Sequence, residues 1–196
     1  AQRTFVASMG VDTNPCNIGA PCRSFTQAAL QTSAKGEIIV VDSAGYGPVT
    51  ITKSVSIIAP AGVYAGVTVF SGIGIEINGA GIDVSIQGLA VNGQGGATGI
   101  GIVDAARVAL ERIDVSAMSA YGITIVADAF VSIADAHVWN NGSSGIYLVP
   151  APSGNAKVRL TRVRVENNGL HGIFFDNSSQ VTIRDSSFSR NGSSGL

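Results

Sequence analysis

Three aspartates, Asp104, Asp128 and Asp176, follow recurring glycines (Gly99, Gly122 and Gly172) at offsets of 5, 6 and 4 residues, and Arg107 stands close to the first of them. Carboxylates gathered together can hold Ca²⁺ through oxygen, and a base beside them could take a proton from a carbon next to an acid group. Arg107 would do so only with a strongly depressed pKa. Unequal offsets give the three acids no reason to converge, so the plainer reading is solvated loop carboxylates. A second set is aromatic: Tyr121, Tyr147 and Phe174, with His171 at a neighbouring bend. Aromatic faces in a stripe can stack on sugar rings, and they can equally stack on each other and stiffen a sheet.

Whether either set is a set depends on what positions it. The stretch VSIADAHVWNNGSSGI at 131 to 146 is nearly repeated as VRLTRVRVENNGLHGI at 158 to 173 and as VTIRDSSFSRNGSSGL at 181 to 196. Upstream, VSIQGLAVNGQGGATGI and VALERIDVSAMSAYGI keep the skeleton, and GIGI at 72 to 75 is read as one more copy. The closing glycine falls at 99, 122, 145, 172 and 195, so the intervals are 23, 23, 27 and 23 residues. A fixed period in the low twenties with strand and turn residues in fixed columns marks a solenoid.

The columns give the cross-section of one coil. Val84, Val108, Val131, Val158 and Val181 open each repeat, with Ile86, Leu110, Ile133, Leu160 and Ile183 two places on. Side chains two apart on a strand share a face, so both columns point inward. A second inward column holds Val91, Val115, Val138, Val165 and Phe188, and a third Ile100, Ile123, Ile146, Ile173 and Leu196. Three short strands per coil with period-two patterning predict an all-β chain, a parallel β-helix whose like residues stack about 4.8 Å apart. The right-handed form is expected, because strand-to-parallel-strand crossovers take that hand.

Two polar columns read as structural. Asn141, Asn168 and Asn191, beside Asn140 and Asn167, would hydrogen-bond coil to coil and suit a left-handed bend. Arg112, Asp135, Arg162 and Asp185 alternate in sign on successive coils and predict a ladder of ion pairs, each worth little because exposed. The 27-residue interval places four extra residues in LVPAPSGNAK, 148 to 157, a loop that either walls the face beside Tyr147 or is a neutral spacer.

With 196 residues and a net charge of −1, the chain is long enough for a sizeable core and shows no basic stripe, so nucleic acid is not an expected partner. No apolar run reaches the roughly 20 residues of a membrane span. Cys16 and Cys22 are read as a disulfide in preference to two free thiols, worth about 2 kcal/mol by loop closure, which implies an oxidising compartment. The start at Ala1–Gln2, without an initiator Met, fits an export product or a trimmed chain. Residues 24 to 33 read as a short amphipathic helix with Ser24 as N-cap and Phe25, Ala28, Ala29 and Leu30 on one side. This gives a cap over 1–36 (strand, disulfide loop, helix) and β-helix coils over 37–196. The repeat stops at Leu196 partway through a coil, so further sequence or an end-to-end partner chain is expected there.

The stretch TFVASMGVDTNPCNIGAPCRSFTQAALQTSAKGEIIVVDSAGYGPVTITKSVSIIA resembles the N-terminal capping segment of secreted pectate-lyase-like right-handed β-helix proteins, and the repeats resemble that superfamily's coils. The resemblance implies the fold and, more loosely, an exported protein, secreted, periplasmic or on the cell surface, that interacts with a polysaccharide, an acidic glycan included. It also implies a groove along the strand that begins at the repeated glycine, which makes Tyr121, Tyr147, His171, Phe174 and Asp176 the candidate carbohydrate-binding residues. Asp104 and Asp128 are then candidate Ca²⁺ ligands; no other cofactor is implied. His171–Gly172 resembles one short element of polygalacturonases, but Leu170 stands where that motif has Gly, and the family's other acidic and basic elements are missing. No carboxylate pair is placed for inverting hydrolysis. Catalysis is therefore left open, with lyase chemistry the nearest type, and the competing expectation is a noncatalytic scaffold or adhesive stalk.

Overall fold

A computed structural model describes residues 1–149, 156–175 and 179–195. Three parallel sheets run the length of the molecule, and the chain visits them in turn. The first is ordered Arg3–Val6, Gly36–Val40, Val55–Ile58, Asp83–Gln87, Arg107–Glu111, Phe130–Ala134, Lys157–Thr161, Gln180–Arg184. The second runs from Ala44–Gly45 through Asp114–Ser116, His137–Trp139 and Arg164–Glu166 to Ser187–Ser189. The third runs Val49–Ile51, Ile73–Asn78, Thr98–Asp104, Tyr121–Ile125, Ile146–Leu148, Ile173–Phe175.

The repeat arithmetic holds at the level of register. Val84, Val108, Val131, Val158 and Val181 are direct partners in the first sheet, and Val91, Val115, Val138, Val165 and Phe188 in the second. Ile100, Ile123, Ile146 and Ile173 do the same in the third; Leu196 lies outside the described residues. These columns are buried almost completely through Ile173, so the core is a rod of stacked β-branched and leucine side chains, each methyl meeting its copy one coil away. Val181, Ile183 and Phe188 are half-buried against its end.

The bends correct one expectation. Arg112, Asp135, Arg162 and Asp185 all stand in the left-handed region, with φ of 52°, 52°, 52° and 50°, in the column that Gly88 opens at 79°. Arg162 reaches back to the preceding coil and grips Asp135 through two bonds, Nε to Oδ1 at 2.6 Å and Nη2 to Oδ2 at 2.8 Å. Arg112 also leans toward the preceding coil, where it meets Gln87 at 3.4 Å, and lies 3.9 Å from Glu111, its neighbour on its own coil. Because both arginines point the same way, among the described residues Asp135 receives one bonded partner and Asp185 none. The ladder of alternating charges is therefore a single bidentate pair among the described residues. That bond holds the Asp135 carboxyl below the usual carboxylate range.

At the N-terminal end, the helix Phe25–Gln31 buries Phe25, Ala28 and Ala29 against the first strands. Ser24 caps it by accepting from Gln27 N–H at 3.2 Å, and Leu30, expected on the inner side, is 70% exposed. Cys16 and Cys22 form a disulfide and are buried. Two aspartates tie this end together. Asp12 accepts from Arg23 N–H, Ser24 N–H and Ser24 Oγ at 2.8 to 2.9 Å. Asp42 accepts from Ser8 Oγ at 2.6 Å, Ser8 N–H at 2.7 Å and the Tyr46 hydroxyl at 2.6 Å.

The bonds from Ser8, then Tyr46, hold the Asp42 carboxyl below its usual range. Partial burial pushes Asp12 up, but the bonds from Ser24 and Arg23 outweigh it and leave that carboxyl lowered too. Burial, then Asp42, pushes the Tyr46 phenol far up, so it stays a donor. A folded pKa below the unfolded value of about 3.9 gives stability that is present above that pH and is lost as pH falls through the folded pKa. Chemical unfolding should therefore show a stability plateau above about pH 5 and a decline below pH 4. Asp42→Asn should cost about 1 kcal/mol at neutral pH after discounting for solvent screening, and the deficit should shrink toward pH 2 to 3. A deficit independent of pH would show that shape rather than charge at Asp42 matters.

Candidate functional site

The outward side of the third sheet is where sequence placed a groove. Parallel register sets Gly101, Thr124, Tyr147 and Phe174 in one outward column. Tyr121 opens its strand one column to the side, where it partners Thr98. The rings meet across columns. Tyr121 and Tyr147 lie 4.6 Å apart between centroids at 31°, Tyr147 and Phe174 5.3 Å apart at 13°, and His171 meets Phe174 at 5.5 Å and 41°. The Tyr147–Phe174 pair is stacked and the other two are tilted, arrangements in which neighbouring rings cover part of each other.

The polar atoms of this stack are partly committed. His171 Nδ1 lies 2.9 Å from Ser194 Oγ, a bond whose direction depends on the tautomer. The hydroxyls of Tyr121 and Tyr147 make no hydrogen bond among the described residues, and no buried side-chain polar atom there is left unpaired. Both hydroxyls are therefore open to solvent and to a ligand. Phe174 is 38% exposed. The structure thus brings Tyr121, Tyr147, His171 and Phe174 into one continuous ladder over three coils, while Asp176 lies outside the described residues, as does most of the 148–157 insertion.

The carboxylates do not converge in the same way. Asp104 ends the strand Thr98–Asp104, and Asp128 stands exposed beyond Tyr121–Ile125. Among the described residues no three His, Cys, Asp or Glu side chains gather as metal ligands. Ca²⁺ takes six to eight oxygens, a set that Asp104 and Asp128 alone do not supply. Arg107 sits in the first sheet between Asp83 and Phe130, facing a shallow depression of about 390 Å³ floored by Ser56, Ser85, Ala109 and Ser132.

The second sheet carries a network that sequence reading passed over. Asp114, His137 and Arg164 are register partners, as are Ser116, Trp139 and Glu166. His137 Nε2 lies 3.0 Å from Glu166 Oε1 and Nδ1 3.4 Å from Asp114 Oδ2. Trp139 Nε1 donates to Asp114 at 3.2 Å, and its ring stacks on His137 at 5.4 Å and 9°. Arg164 donates to Glu166 Oε2 at 2.7 Å, and this bond, with that of His137, holds the buried Glu166 carboxyl below its usual range. Every charge here has a partner inside the network, which makes it a clasp across three coils. The signal was available: Asp114, His137 and Arg164 are separated by the same 23 and 27 residues as the glycines.

Coils of three parallel strands stacked in register in three sheets define a parallel β-helix. The model of the family described as right handed beta helix region matches residues 39–196, and the chain belongs to that family. Among solved structures it is similar to a pectate lyase, Pel9A, with a TM-score of 0.82 at 18% identity, over 97% of this chain and 54% of that one. The chain thus spans about half the length of that lyase, and at this identity the likeness is one of fold. A rhamnogalacturonan lyase matches with a TM-score of 0.45 at 11% identity, over 94% of this chain and 73% of that one. No curated protein sequence matches.

Proposed function

We propose that this chain is an exported module that binds a polysaccharide along the outward face of its third sheet. Tyr121, Tyr147, His171 and Phe174 are the contacts in this reading, with Asp176 following in sequence. The observation that carries it is the unbroken aromatic ladder with two uncommitted phenol hydroxyls. Ring edges and partly open faces suit the C–H faces of sugars, and the hydroxyls suit their O–H groups. The fold shared with a pectate lyase and the disulfide both favour the reading. Binding does not require the Asp104 and Asp128 loops to hold a metal.

Retention on immobilised polysaccharides tests it. The double variant Tyr147→Ala, Phe174→Ala should bind at least about ten-fold more weakly, a loss of about 1.4 kcal/mol or more, with an unchanged far-ultraviolet circular dichroism spectrum. Both side chains are outward, so the core columns stay filled. Undiminished retention by a folded double variant would remove the third sheet as the binding face.

A further inference from the structure

We infer that the glycan accepted by this face is uncharged, an inference that rests on the polysaccharide reading above and narrows it. The six described strands of the third sheet contain no Lys or Arg, and their only formal charges are the carboxylates of Glu76 and Asp104. Glu76 stands in the same outward column as Gly101, Thr124, Tyr147 and Phe174. Asp104 closes the next strand, and exposed Asp128 follows one coil on. Beside them Val103 and Val126 are 38% and 44% exposed, and the aromatic ladder runs on over the next two coils.

The other strands hold most of the cations, and Lys53, two residues past Val49–Ile51 at the N-terminal edge of this sheet, donates to Leu30 O at 3.4 Å. Arg107, Lys157, Arg159 and Arg184 lie in the first sheet, and Arg164 in the second, where it is bound to Glu166. A net charge of −1 therefore conceals a face that offers a polyanion two or three carboxylates and, on the strands that carry the aromatic ladder, no counter-charge. A polymer with one carboxylate per sugar would be repelled along its whole length, more so at low salt. A neutral chain meets no such penalty. It gains C–H contact with the rings and valines and hydrogen bonds to the hydroxyls of Tyr121 and Tyr147.

The experiment compares polymers that differ in charge, on the intact protein, with Ca²⁺ and with a chelator. The ligands are polygalacturonate, the same polymer fully methyl-esterified, and neutral β-linked glucan, xylan and mannan. The expected result is retention by at least one neutral polymer about ten-fold stronger than by polygalacturonate, unchanged between low and about 0.5 M salt. Thr124→Lys puts a cation in the middle of the face and should raise the ratio of polygalacturonate to neutral retention several-fold. Polygalacturonate held as tightly as every neutral polymer, or a Thr124→Lys variant blind to charge, overturns the inference and leaves the polysaccharide reading standing. No retention of any polymer overturns both.

Discussion

Asn168→Ala should lower the folding stability by about 3 kcal/mol, because one buried amide serves two neighbouring coils. Asn168 Oδ1 accepts from Asn141 N–H at 3.1 Å and from Asn141 Nδ2 at 2.9 Å. Its Nδ2 donates to Asn191 Oδ1 at 3.0 Å and to Val138 O at 3.4 Å. Truncation leaves two donors on Asn141 unsatisfied where Asn141 and Asn168 are both 2% exposed, and a buried group without its partner costs about 1 to 3 kcal/mol. Asn168→Asp is the informative companion. It keeps the acceptors but removes the donor facing Asn191 and adds a buried charge, so it should not rescue. Urea unfolding at constant m-value would measure both. A loss below about 1 kcal/mol for alanine would mean that water takes the amide's place at the bend.

How much of this could be read from the residues depends on which contacts the repeat dictates. A column of Val84, Val108, Val131, Val158 and Val181 needs only the period and the two-residue alternation of a strand, so the core was legible to the residue. The asparagine ladder was legible for the same reason: its partners are copies of one another. The charged column at Arg112, Asp135, Arg162 and Asp185 was placed correctly and paired wrongly. Register fixes where a side chain starts; the direction in which a long arginine leans from a left-handed bend is set by local sterics. The clasp around His137 needed the period applied to residues of unlike chemistry, Asp114, His137 and Arg164, which no search for repeated identity brings together. The aromatic ladder falls between these cases. Tyr147 and Phe174 are register partners, but Tyr121 joins from a neighbouring column, and only ring geometry shows that contact.

The recurring glycine shows a different division between what a pattern says and why. Its position at each turn invites the reading that it supplies a left-handed backbone, yet that conformation belongs to Arg112, Asp135, Asn140, Arg162 and Asn167, and not to Gly122, Gly145 or Gly172. What Gly145 supplies is an absent side chain. A Cβ there would stand 2.8 Å from Asn168 Nδ2 and 2.9 Å from Gly172 O, besides pressing on Val165. The neighbouring coil's backbone cannot retreat without breaking the sheet on both sides, so Gly145→Ala should cost about 2 kcal/mol and Gly145→Val more. Arg112→Gly should have the opposite sign, raising stability by up to about 1 kcal/mol, since glycine takes a φ of 52° without the crowding an L-side chain suffers. Thermal and urea unfolding of the two variants decide between the explanations. A Gly145→Ala variant as stable as the parent would mean that the close coil-to-coil approach is not what selects glycine there, and a damaging Arg112→Gly would mean that the Arg112 side chain outweighs the relief at its backbone.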